Sequence, residues 1–317
     1  MMATELNQTT QELLDQVNQM YPGVVLVHFG DEKVGYIRHD QAQQESLQGG
    51  IEITVTDITA PDYTASHELL HLMMIMQGFP QIFFQVSFGD ERLDEQLMIM
   101  ATDLYDVAMH VIVVDEQRKH GLIDDQIEAL YIKGVDATLT PETAEPDDER
   151  TLRLLTLLDT LVFMGDHVST VDAHLRELYP VAYKAAQEMY ADLMVKPIDS
   201  PFTMRRAIVK LFKQFDVKLN QWGLPALHTT EFTTLSTVLS ERQLRLDTRQ
   251  LFEVFHSEMT NKETGEKAYI ALQRSDRQNS FVVNPPKKDS DVFFKKMYDK
   301  TVQELLDELN VPYIVRK

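Results

Sequence analysis

Between Pro61 and Pro80 the chain reads PDYTASHELLHLMMIMQGFP, and no other stretch limits the fold so tightly. Pro61 and Asp62 suit the first turn of a helix, and Gly78 followed by Pro80 suits its stop, so the spacing predicts one helix of about four turns. Apart from His71, every residue from Leu69 to Met76 is apolar, which requires burial on nearly all sides. Yet His67, Glu68 and His71 stand in the middle of it. Residues four apart share a helix face, so the two imidazoles reach one point in space with Glu68 beside them. Buried without a partner, these groups would be costly; a bound cation supplies the partner. The pattern is half of a zinc site plus a general base.

The flanking segments frame this helix. Residues 4–20 form a first helix with the apolar stripe Leu13, Leu14, Val17 and Met20, followed by strands at Val24–Phe29, Val34–Arg38 and Ile51–Thr56. In the third strand Ile51, Ile53 and Val55 alternate with Glu52, Thr54 and Thr56 directly after Gly49-Gly50, the pattern of a half-buried strand that suits a sheet edge. Beyond Pro80, Gln81–Phe88 reads as a short strand or loop, and Asp90 to Arg118 as a long helix closed by Gly121. From Leu97 to Val114 that helix is apolar almost all round, except for a line made by Thr102, Asp103, Asp106 and His110. Two buried helices with one polar stripe each are most simply accommodated if the stripes face each other.

A shorter helix spans residues 121–134, and Leu139–Glu149 (LTPETAEPDDE) reads as an acidic linker. From Arg150 to about His256 apolar residues recur at helical spacing, punctuated by Gly165, Pro180, Pro197, Pro201 and Gly223-Leu224-Pro225. Lys267–Arg274 and Ser280–Val283 suggest a hairpin, Asp291–Leu309 an amphipathic helix and Val311–Val315 a last strand. The expected class is α+β and mostly helical. Its parts are a metal-binding domain at 1–138 with a small sheet and the HExxH helix, the linker at 139–149, a helical region at 150–260, and a hairpin with a helix at 261–317.

The 317 residues are 44% hydrophobic and 25% charged, an ordinary globular composition. With 50 acidic against 30 basic residues and a formal charge of −20, nucleic acid and anionic membrane surfaces are unsuitable partners. The chain has no cysteine, so a tight zinc site has to use histidine and carboxylate ligands. The first twenty residues lack the basic and apolar regions of a signal peptide, and no run of about 18 apolar residues suggests a membrane span. These features lead to the expectation of a soluble, cytoplasmic protein.

With HELLH on a helix after an alternating strand, residues 50–115 resemble the zincins, the broad group of HExxH metallopeptidases, and specifically so at His67, Glu68 and His71. The resemblance implies zinc on His67 and His71, Glu68 as general base for a zinc-bound water, a peptide or protein substrate, and a third ligand from a later element. The glutamate and aspartate motifs that supply this ligand in gluzincins and aspzincins are not intact here. Metzincins are excluded because Met74 and Gln77 occupy the positions of their glycine and third histidine. Asp106 and His110 are the best substitutes, Asp106 as ligand and His110 as ligand or as orienting partner of an imidazole, with Asp103 and Glu95 behind them. Zincins also hold peptides against an edge strand, a role for which Ile51–Thr56 is placed, and Tyr105, Tyr131 and His167 are candidates to stabilise an oxyanion.

The remaining features have plainer readings. Trp222 suits a core anchor, Met73-Met74-Ile75-Met76 core filling, and Lys287, Lys288, Lys295 and Lys296 a solvated face. There is no internal repeat, phosphate loop, nucleophile elbow or dinucleotide fingerprint. Two other functions fit the same residues: a binding or regulatory protein that keeps the fold without turnover, and a metal-free core in which the HELLH histidines are simply hydrogen-bonded.

Overall fold

The computed structural model describes residues 5–38, 40–145, 147–285 and 287–316. It is a mixed α+β chain in which helices predominate, and it divides into two discontinuous units, residues 1–77 with 109–194 and residues 78–108 with 195–317. The first unit opens with α1 (Gln8–Met20), β1 (Val24–Glu32), β2 (Ala42–Leu47), β3 (Gly50–Asp57) and α2 (Pro61–Met76). After β4 (Ile82–Phe83) and β5 (Val86–Ser87), the long α3 (Glu91–Lys119) belongs to the second unit up to Ala108 and to the first from Met109. The first unit then continues with α4 (Asp125–Thr138), α5 (Arg150–Met164), a 3-10 segment (Gly165–Thr170), α6 (Asp172–Leu178) and α7 (Pro180–Leu193).

In the first unit β3 is the central strand of three, parallel to β1 and antiparallel to β2. The alternation read from the sequence is real, since Ile53 and Val55 are fully buried, but the expected edge position is not. The edges are β1 and β2, and the polar AQQESL of β2 has no apolar alternation to reveal it. The strand expected at Val34–Arg38 does not form, because its backbone donors are used elsewhere. Val34 N–H donates to Asp57, Gly35 N–H to Thr59, Arg38 N–H to Gln41, and Ile37 N–H to the Leu130 carbonyl of α4. That last contact depends on Gly134, where a Cβ would stand 1.8 Å from the Ile37 carbonyl oxygen.

The motif helix forms as expected. Pro61 occupies its first turn, Gln77 ends it, and Gly78 takes φ +81° at its exit. Leu69, Leu70, Leu72 and Met74 are buried. Asn7, which caps α1, also donates its backbone N–H to Asp62, tying the starts of α1 and α2 together. On the other side α5 packs along α7, burying Leu154, Leu157, Leu158, Tyr183 and Ala186. The acidic stretch expected as a linker is fastened to α5 within this unit. Arg153, only 1% exposed, donates to the Thr140 carbonyl, to Asp147 and to Glu149. The division between units falls after Gln77, Ala108 and Met194 instead.

In the second unit α8 (Pro201–Gln221) is followed by α9 (Thr229–Phe232), β6 (Thr234–Leu235), β7 (Thr237–Leu239), α10 (Glu241–Leu244), α11 (Thr248–Leu251), β8 (Phe252–Asn261), β9 (Lys267–Gln273), β10 (Asn279–Val283), α12 (Ser290–Asp299), α13 (Val302–Glu308) and β11 (Tyr313–Val315). The expected succession of helices thus gives way after α8, where short strands find partners far along the chain: β6 pairs with β4, and β7 with β11. The expected hairpin is β9 and β10, within a four-stranded sheet of order β10-β9-β8-β5. The expected last helix is two, because Thr301 starts α13 with a capping box. Among the described residues α3 is long and apolar enough to cross a membrane, and 56% of its most apolar stretch is buried in protein.

Candidate metal centre

Helical spacing brings His67 and His71 together, and tertiary packing brings His110 of α3 to them. The ring centroids of His67 and His71 are 4.7 Å apart, and His110 lies 4.8 Å from the first and 5.2 Å from the second. One ligand nitrogen from each ring lies within 4.8 Å of the other two. Three atoms so placed are all within about 2.8 Å of a common point, close enough for small rotamer shifts to reach the 2.0–2.1 Å bonds of a zinc imidazole site. His67 and His110 are buried and His71 half-buried. The donor set is three imidazole nitrogens, which suits zinc, copper, iron or nickel and not calcium or magnesium.

The polar line of α3 therefore meets the motif through His110. Asp106, half-buried one turn earlier, is not in this group, nor are Asp103 and the exposed Glu95. Glu68 is half-buried, and its Oε2 accepts a 2.6 Å hydrogen bond from the Gln44 side chain on the edge strand β2.

Behind His110 lies a group that no motif announces. The Nδ1–H of His110 donates to Oδ1 of Asp159 at 2.6 Å, and the Tyr131 hydroxyl donates to Oδ2 at 2.8 Å. All three residues are buried. Burial, then the charge of Asp159, pushes the Tyr131 phenol well up from its ordinary range, so it stays protonated and able to donate. Tyr63, one turn before His67 and 6.1 Å from it between ring centroids, is raised for the same two reasons in the same order. The Tyr131 ring stacks on Phe163 at 3.8 Å and 7°.

Of the three oxyanion candidates, Tyr131 is thus directed at Asp159. Tyr105 donates its hydroxyl to the Pro80 carbonyl at 2.8 Å, and His167 places Nδ1 2.8 Å from Glu128. Glu128 also pairs with Arg118. Asp159 is not among the residues the motifs single out, yet it carries a signal: it is the lone acid in LLTLLDTLVFM, an ionisable residue inside an apolar helix, as in HELLH. Gln44 carries no such signal. No protein-family model, curated protein or solved structure matches this chain.

Proposed function

We propose that this chain is a zinc-dependent hydrolase of peptide bonds, of the HExxH type that residues 50–115 resemble, acting on a peptide or protein substrate. The observation that carries the reading is the convergence of three imidazoles, His67, His71 and His110, with a carboxylate next to the first. A zinc ion on these histidines supplies Lewis acidity and lowers the pKa of a bound water towards neutrality.

The chain's own residues do the rest. Three neutral ligands leave the full charge of the ion for that task. Glu68 is the general base, taking a proton from the attacking water and delivering it to the leaving amine. Gln44 holds one oxygen of Glu68, which fixes the carboxylate's rotamer. A chain without thiols fits the cytosol without requiring it, and the charge of −20 opposes polyanionic substrates.

The test pairs elemental analysis with a peptide-cleavage screen on the parent and on Glu68→Gln. Stoichiometric zinc in both proteins, with cleavage by the parent alone, is the expected result. Equal cleavage by Glu68→Gln removes the general base from the mechanism. Zinc without cleavage of any peptide in a broad library favours a binding or regulatory protein on the same scaffold.

A further inference from the structure

We propose that Asp159, itself held by Tyr131, is the positioning residue that makes His110 a metal ligand through its Nε2 atom. This rests on the three-histidine reading above and names which residues outside the ligand set determine its affinity.

Asp159 is 8% exposed on a helix whose neighbours Leu155, Leu158, Thr160, Val162 and Phe163 are also buried. A carboxylate there needs both hydrogen bonds and a positive charge nearby. The hydrogen bonds come from His110 and Tyr131. A cation on the far nitrogen of His110 adds positive charge to this network through the ring and also engages His67 and His71.

Asp159 holds the His110 proton on Nδ1, so the lone pair resides on Nε2. A carboxylate on the distal N–H also makes an imidazole a better donor to a metal, and removing such a partner commonly costs 10–100-fold in affinity. Tyr131 can aim Asp159 because its own ring is stacked flat on Phe163 of the helix that carries Asp159. Three helices, α3, α4 and α5, thereby converge on one carboxylate.

The test is a zinc titration of the full chain, stripped of metal, against a chromophoric chelator, with parent, His67→Ala, Asp159→Asn and Tyr131→Phe compared. Asp159→Asn is expected to bind stoichiometric zinc about 10–100-fold more weakly than the parent, and Tyr131→Phe more weakly by a smaller factor. Proton NMR of the zinc-loaded parent is expected to show a protected imidazole N–H that is missing from His110→Ala and weakened in Asp159→Asn, a signature that a packing role for Asp159 would not produce. Parental zinc affinity in a folded Asp159→Asn protein overturns the proposal. If Asp159→Asn does not fold, parental affinity in Tyr131→Phe together with no protected N–H in the parent overturns it equally. A parent that binds no zinc, or a His67→Ala protein that binds it as tightly, defeats the three-histidine reading first and this proposal with it.

Discussion

Removing divalent metal should lower the temperature at which the first unit melts, and its size can be worked out. The candidate ligands come from α2 and α3, and the carboxylate behind His110 from α5, all within residues 1–77 and 109–194. Unfolding separates them, so a metal that binds the centre binds only the folded unit and its binding free energy adds to stability. At free zinc one hundred times the dissociation constant, that contribution is about 2.7 kcal/mol. For a unit of this size, each kcal/mol moves the midpoint by about 2–4 °C, so the expected shift is about 5–11 °C. Differential scanning calorimetry at neutral pH, on chelator-stripped protein before and after adding zinc, measures it. The double variant His67→Ala/His71→Ala should show no shift. A parent midpoint indifferent to zinc, or an equal shift in the double variant, would refute the reasoning.

Other perturbations test the surroundings of the centre. Gln44→Leu removes the donor that holds Glu68 and should reduce turnover about tenfold while zinc content stays stoichiometric; unchanged turnover would show that Glu68 needs no such support. Gly134→Ala adds a Cβ 1.8 Å from the Ile37 carbonyl oxygen, so the helix-propensity gain of about 1 kcal/mol should be outweighed and urea melts should show a loss of about 1–3 kcal/mol. A more stable Gly134→Ala protein would mean that the 34–38 segment does not dock on α4. Arg153→Met should cost about 2 kcal/mol, because Thr140, Asp147 and Glu149 all lose the same guanidinium. The Asp147 carboxyl lies below its ordinary value mainly through its hydrogen bond to Arg153, so the stability this adds is present above the unfolded pKa of about 3.9 and is lost as pH falls through the lower folded value. Acid titration of Arg153→Met should therefore show a shallower fall in stability below pH 4 than the parent shows, and identical acid limbs would count against the ion pair.

What the sequence determined by itself is local. Helical periodicity places His67, Glu68 and His71 on one turn, Pro61 and Gly78 bound their helix, and strict alternation reveals β3, because each depends only on residues a few positions away. An apolar helix with one polar line is enough to nominate His110 and to aim it at the motif. Which residue on that line would join the histidines was beyond a periodicity argument. Asp106 and His110 are one turn apart on the same stripe, and the choice of His110 follows from the packing of α3 against α2 and from a carboxylate 49 residues further on. The same limit explains the strand misplaced at Val34–Arg38, where β-prone residues surrender their backbone donors to Asp57, Thr59 and α4, and the polar β2, which has no apolar face to advertise. Ladder hydrogen bonds and buried carboxylates are satisfied by whatever the fold brings near, so the partners of Asp159 and Glu68 were decided only when the chain packed.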